Sequence, residues 1–211
     1  MSEAADGSGA RQIHIDGSTA RPAAFRGVGS EIVRGISAAY LKLSGWTVCG
    51  DWPSIDKVVL VAAPHTSNWD GLNMLAAAAF YRVKLRWMGK ASLTRGPFGW
   101  MMKALGCVPI DRSQSNDVVR IMSEAFGDAE QMVLAIPPEG TRSAVRDWKS
   151  GFYHIAVAAG VPIVLSVLDY GTKRVSLAAV VYPSGDYEAD LAIIRGFYVG
   201  ARGKKAGKFA G

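Results

Sequence analysis

Cysteine is scarce in this sequence: its 211 residues hold only Cys49 and Cys107, far apart and without metal-ligand spacing. A disulfide framework is therefore not expected, and a reducing cytoplasm is the expected compartment. Histidine is nearly as rare, at three. No Cys/His cluster of the zinc-binding kind is visible, so no metal is expected. No secretory signal is visible either: the first ten residues are small and polar, carry Glu3 and Asp6, and have no basic and then apolar region. The 19-residue run at 150–168 is free of Lys, Arg, Asp and Glu. Gly160-Val161-Pro162 interrupts it, which fits helix, turn and buried strand better than one membrane-spanning helix. Basic stripes interleaved with aromatics are absent, so nucleic acid is not expected as a partner.

What is present is globular. The apolar fraction is 49% and the charged fraction 20%, in a length that suits one domain with a real core. The net charge of +6 suits an anionic partner, such as an acidic membrane surface or a phosphorylated substrate. Charge alone does not choose between such a partner and a merely solvated surface. Residues 1–28, rich in Gly, Ala, Ser and Arg, read as a flexible arm. Residues 29–202 read as the folded domain, and 203–211 as a basic frayed tail.

Short β-branched or alternating runs predict strands at 58–63, 83–87, 107–110, 132–136, 163–168 and 175–182. A helix is predicted over 68–81, with Trp69, Leu72, Leu75, Ala76 and Phe80 inward. Two more are marked by Val118, Val119, Met122 and Phe126, and by Tyr187, Leu191, Ile194 and Tyr198. Ser30 can cap an earlier helix that places Ile32, Val33, Ile36, Tyr40 and Leu43 on one face. That face packs on the core or lies on a bilayer surface. Strand alternating with helix predicts a single α/β domain, a largely parallel mixed sheet flanked by helices.

Chemistry-bearing residues follow the strand ends, where α/β sheets place ligands. The first group is Pro64-His65-Thr66-Ser67-Asn68-Trp69-Asp70. Asp70 can reach back one helical turn to His65, fix its tautomer and leave the other nitrogen to take a proton from a hydroxyl. Equally, Asp70 can simply favour the helix start. The second group is Pro138-Glu139-Gly140-Thr141-Arg142-Ser143. Gly140 permits a tight turn, and backbone N–H groups, the Thr141 hydroxyl and the Arg142 fork could bind phosphate. An ordinary turn with a surface ion pair is the alternative. The third group delivers Asp111 and Arg112 after a strand, and Lys90 leaves another strand in the same manner. A proton-accepting His and several cations converging on one mouth suit attack by a phosphate-bearing alcohol on an acyl carbonyl.

At these residues the sequence resembles the glycerolipid acyltransferase family, which includes lysophosphatidate acyltransferases. Four blocks appear in order: His-x4-Asp at His65 and Asp70, Gly-x4-Asp-Arg at Gly106, Asp111 and Arg112, Glu-Gly-Thr-Arg at Glu139 to Arg142, and Val-Pro-Ile at Val161 to Ile163. Trp148-Lys149-Ser150-Gly151 resembles the Phe-Lys-x-Gly that follows the third block. The resemblance implies a glycerol-3-phosphate acyltransferase-like fold. It implies His65 as general base on the acceptor hydroxyl, oriented by Asp70. Arg112, Glu139, Gly140, Thr141 and Arg142 would shape the acceptor phosphate site, with Lys90 adding to the clamp. The partners it implies are an acyl thioester donor (acyl-CoA or acyl carrier protein) and a lysophospholipid acceptor, lysophosphatidate first. Another lysolipid, a glycolipid or an amine-bearing lipid is the alternative acceptor, and thioester hydrolysis the alternative reaction. Thr66, Asn68, Pro137 and Leu165 depart from the family's usual residues, which bears on the acceptor rather than on the chemistry.

A lipid product implies peripheral contact with the inner face of the membrane. Residues 96–110 carry one charge in 15. Phe98, Trp100, Met101, Met102 and Leu105 could enter the interface while Lys90, Arg95 and Lys103 meet head groups. The same stretch could instead be core or line an acyl-chain tunnel.

Overall fold

The computed structural model describes residues 2–4, 11–110, 115–140, 147–205, 207 and 209. Its centre is β4 (Lys57–Ala63), where Val58, Val59, Leu60 and Val61 are all buried. So continuous an apolar run fits a strand covered on both faces. β4 pairs in parallel with β7 (Met132–Ile136) on one side and β8 (Ile163–Asp169) on the other. Beyond β7 the parallel order continues through β5 (Leu85–Lys90) to β6 (Cys107–Ile110). Beyond β8 the sheet turns antiparallel at β9 (Arg174–Tyr182). β3 (Thr47–Cys49) runs parallel to one end of β9, and β2 (Arg11–His14) antiparallel to the other, with β1 (Ser2–Ala4) outside it. The expected α/β architecture, a mixed and mostly parallel sheet flanked by helices, is what forms.

Alternate residues of β4 serve two cores. Val59, Val61 and Ala63 face α5 (Ser115–Asp128), α6 (Gly151–Ala159) and α7 (Tyr187–Gly196) through Met122, Phe126, Phe152, Ile155 and Ile194. Val58 and Leu60 face α2 (Asn68–Phe80). Ala76, Ala77 and Ala78 are the apolar buried positions of α2. α1 (Val28–Leu43) packs on α2 from outside. Between β5 and β6 lie the short α3 (Ser92–Arg95) and α4 (Gly99–Ala104). The charge-free run resolves into α6, a left-handed Gly160 (φ 63) and β8, as its Gly-Val-Pro interruption predicts. Among the described residues no helix is long and apolar enough to cross a membrane.

Three expectations differ from the structure. α1 begins after Gly27 rather than at a Ser30 cap, and Ile32, Val33 and Ile36 are exposed while Leu41 is buried. Trp69 and Leu72 of α2 are also exposed, and Asp70, Asn73 and Ala77 turn inward instead. The 3.6-residue period finds an apolar stripe but not what the stripe faces. Finally, residues 11–23, placed in a flexible arm by composition, are pinned. β2 satisfies the edge of β9, the Ile15 N–H donates to the Ala178 carbonyl (2.9 Å), and the Trp52 N–H donates to the Arg21 carbonyl (2.9 Å). An unpaired edge of so buried a strand would leave its backbone groups without partners.

Candidate active site

The parallel strands β4, β7, β5 and β6 end at one edge of the sheet, and the loops that carry the site residues leave from there. His65 follows β4 by two residues. Its side chain is about a quarter exposed (26%). Ser67 caps α2, and Asp70 occupies the third helical position. The Asp70 carboxylate, 2% exposed, reaches back over the cap. Its Oδ2 accepts the N–H groups of Thr66 (2.5 Å) and Ser67 (2.6 Å). Its Oδ1 accepts the hydroxyls of Ser67 (2.6 Å) and Tyr170 (2.7 Å). This is a capping box with a carboxylate as the returning side chain. Oδ2 also stands 3.9 Å from Nδ1 of His65. That is ion-pair range rather than a hydrogen bond, so Asp70 acts on the imidazole here as a buried, fixed charge.

Glu139 lies in the turn after β7. Named by the resemblance among the residues that shape the acceptor phosphate site, it is 2% exposed, and its Oε1 accepts the His65 N–H at 2.8 Å. Its Oε2 has no hydrogen-bond partner among the described residues. Burial pushes this carboxyl up to about 7, and the charge of Asp70 adds to the rise, while the N–H groups of His65 and of Glu139 itself oppose it. Glu139 thus ties the β4 and β7 loops together. Gly140 adopts φ 63 as the tight turn requires, and the Lys149 side chain lies where a Cβ would stand (2.6 Å). Lys149, noted in the sequence only beside the third block, is therefore brought to this corner. Lys90 is exposed at the end of β5, two strands from β4, or about 10 Å at the usual strand spacing. Asp111, Arg112, Thr141 and Arg142 lie outside the described residues.

Two contributors escaped the sequence argument. Tyr170 follows β8, the other parallel neighbour of β4, and hydrogen-bonds Asp70; its position after a strand adjoining β4 was the available signal. The segment 202–205, which composition places across the start of a basic tail, lies against the corner. Gly203 sits so close to Thr66 that an added Cβ would be 2.5 Å from Cγ2. The Lys205 N–H donates to Thr66 Oγ1 (3.3 Å), and Lys204 Nζ stands 4.5 Å over the Trp69 ring. No sequence pattern announces such contacts.

Beneath His65, between α2 and the sheet, runs a narrow apolar cavity of about 30 Å³, lined by Leu60, Met74, Ala78, Tyr81 and Leu177. That is room for a small group, not for an acyl chain. Among the described residues no cluster of His, Cys, Asp and Glu could hold a metal ion.

Comparison with known proteins gives the family and the fold. The family model described as Acyltransferase matches residues 47–168. The 1-acyl-sn-glycerol-3-phosphate acyltransferase alpha of Ovis aries is 31% identical over 119 residues, covering 52% of this chain and 39% of that protein. The 1-acyl-sn-glycerol-3-phosphate acyltransferase of Escherichia coli K12 is 31% identical over 121 residues, covering 54% and 48%. The chain thus matches less than half the length of these relatives. The crystal structure of the 1-acyl-sn-glycerophosphate (LPA) acyltransferase PlsC from Thermotoga maritima superposes with a TM-score of 0.58 over 84% of this chain and 80% of that one, at 19% identity, a likeness of fold. With the family model spanning more than half of it, and His65, Asp70 and Glu139 inside the span, this chain belongs to the acyltransferase family.

Proposed function

We propose that the protein transfers a fatty acyl group from acyl-CoA or acyl carrier protein to the free hydroxyl of lysophosphatidate. The observation that carries this reading is the partly exposed His65 imidazole beside a fully buried, four-times hydrogen-bonded Asp70 carboxylate at the end of the central strand. Nδ1 faces that carboxylate, so Nε2 is the nitrogen to take the hydroxyl proton. The acceptor oxygen then attacks the thioester carbonyl, and the tetrahedral intermediate expels the thiolate. The imidazolium returns its proton to that sulfur. Asp70 favours the imidazolium and so lowers the barrier to its formation.

The acceptor's phosphate is assigned to Lys90, Lys149 and the turn at Gly140, with Arg112, Thr141 and Arg142 completing the clamp. Glu139 then serves from behind, holding the His65 backbone, and a carboxyl pushed up by burial carries less negative charge toward a phosphate than an ordinary carboxylate would. Contact with a bilayer is supported by Phe98 (66% exposed) and Trp100 (72%) near α4, and by the exposed stripe Val28, Ile32, Val33 and Ile36 on α1. These surfaces face solvent, which removes the core reading for Phe98 and Trp100. An enzyme on the inner face of the membrane would meet its lipid there.

The test is CoA release from a long-chain acyl-CoA with a panel of lysolipids. Release that requires lysophosphatidate supports the reading. Release without any acceptor points to hydrolysis, and dependence on another lysolipid moves the acceptor. His65→Ala is expected to abolish turnover (a loss of 10³-fold or more, on the order expected for a general base and its network) with the thermal midpoint nearly unchanged.

A further inference from the structure

Asp70 is not the last member of its network. The Tyr170 hydroxyl donates to Asp70 Oδ1 at 2.7 Å and accepts from Asn73 Nδ2 at 3.2 Å. Asn73 Oδ1 in turn accepts the Tyr40 hydroxyl at 2.9 Å. Three elements meet here: α1 brings Tyr40, α2 brings Asn73 and Asp70, and the end of β8 brings Tyr170. Tyr170 is further held by the Trp46 ring, edge-on at 4.8 Å, and by its own N–H, which donates to the Arg202 carbonyl at 2.8 Å. Asn73 is 2% exposed.

The direction of these bonds is fixed by chemistry. An ionised carboxylate only accepts, so the atom facing Asp70 must bring a proton. Were the Asn73 amide reversed, its oxygen would claim the Tyr170 proton, and the phenol oxygen would present lone pairs to Asp70 across 2.7 Å. Because Asp70 can only accept, the other arrangement holds, and the Tyr40 hydroxyl, able to donate or accept, donates to Asn73 Oδ1. Asn73 then donates to Tyr170, whose single proton is left for Asp70.

We propose that Tyr170 is a positioning residue of the His65–Asp70 pair, its hydroxyl oriented by Asn73 and Tyr40 so as to neutralise part of the charge on Asp70 Oδ1. The consequence is graded control of the imidazole. Two backbone N–H groups hold Oδ2 in place whether or not Tyr170 donates. Tyr170 therefore sets how much negative charge the imidazole feels, rather than where the carboxylate stands. Burial and the bond to Asp70 both hold the Tyr170 phenol well above its ordinary range, so it stays a donor at working pH. Besides Asp70, the titratable groups packed around this corner among the described residues include Tyr40 from α1, Glu139 from the β7 turn, Lys149 ahead of α6, Tyr170 from the β8 end, and Arg202, Lys204 and Lys205 from the C-terminal segment.

This inference rests on the proposed role of His65, and its test separates the two. The protonation of His65 is followed by NMR in the full chain, whose three histidines are assigned by His14 and His154 variants. Tyr170→Phe removes the donor and keeps the ring against Trp46. The His65 pKa is expected to rise by about half a unit, since an Asp70 carboxylate with less of its charge neutralised favours the imidazolium more. The acid limb of kcat/KM should move up with it, while KM for the acceptor stays the same. Tyr40→Phe, which unties only the outer link, should shift His65 the same way by less, and it serves alone if Tyr170→Phe does not fold. Tyr81→Phe is the control: its hydroxyl bonds the Cys49 and Gly50 carbonyls away from the pair, so it should lower the thermal midpoint and leave His65 alone. A folded Tyr170→Phe or Tyr40→Phe protein with an unmoved or lowered His65 pKa overturns the inference even if transfer is observed. Absent transfer with a shifted His65 would overturn the function and leave the inference standing.

Discussion

Replacing Glu139 by Gln should make the protein less sensitive to alkali. The carboxyl is buried behind His65, and in the fold its pKa moves from 4.5 to about 7. The folded form therefore keeps a proton that the unfolded chain has already lost. Stability tied to that proton is complete below pH 4.5 and drains away as pH rises through about 7. At about 1.4 kcal/mol per pKa unit the full displacement corresponds to about 3 kcal/mol. About 2 kcal/mol of that falls between pH 5 and 8. Gln has the same shape, can still accept the His65 N–H through its amide oxygen, and does not titrate. A domain of this size moves by roughly 2–4 °C per kcal/mol, so the thermal midpoint of Glu139→Gln, measured relative to the parent, should rise by about 4–8 °C from pH 5 to pH 8. The slope is the observable, because any fixed cost of the amide hydrogen left facing the unpartnered Oε2 position cancels in it. Midpoints taken at constant ionic strength across that range decide the matter. A difference that stays flat with pH would show that the carboxyl is ionised in the fold and that its burial is compensated.

Two other outcomes follow from the contacts of the corner and the surface. Gly203→Val would drive a branched side chain into Thr66, which is 1% exposed and stiff at χ1. It should cost about 1–3 kcal/mol in chemical denaturation and reduce turnover, through displacement of the segment that closes over the His65 loop. Trp100→Ala combined with Met101→Ala should keep the fold and lose sedimentation with anionic vesicles, since both side chains face solvent. Unchanged sedimentation would move the membrane contact elsewhere.

Most of the strands and helices were legible because their residues satisfy one local rule at a time. β4 is β-branched and apolar throughout, α5 repeats Val118, Val119, Met122 and Phe126 at helical spacing, and Gly160 stops α6 where a left-handed residue is needed. What a face packs against is a different matter. Ile32 and Ile36 give α1 an apolar stripe, but α1 turns Tyr40 and Leu41 toward α2 and leaves the stripe outside. Residues 11–14, Arg-Gln-Ile-His, carry little strand signal, and become a strand because β9 offers them an edge. The site divides in the same way. His65 and Asp70 lie within one motif and could be read together. Tyr170 reaches Asp70, and Gly203 reaches Thr66, from 100 or more positions away in the chain, one through a hydroxyl and the other through a missing side chain, and only the place of Tyr170 after a strand gives a sign of it.

The spacing of the first motif carries its own physical explanation. The sequence offered two accounts of Asp70, as an orienting carboxylate for His65 and as a favourable charge at a helix start. They describe one geometry. A residue at the third helical position is the one whose side chain returns to the N-cap, and here it also reaches Thr66, so its Oδ2 is drawn into the space just ahead of the helix. The residue two places before the cap is His65. A carboxylate bound by the cap therefore sits beside that side chain, at 3.9 Å, without any further device. Its four hydrogen bonds stabilise the anion and hold it still, which is what electrostatic support of a transient imidazolium needs. Moving Asp70 by one position in either direction would break the cap and the pairing together. The interval between His65 and Asp70 is thus set by helix capping, and the chemistry makes use of a charge that the local fold already holds in place.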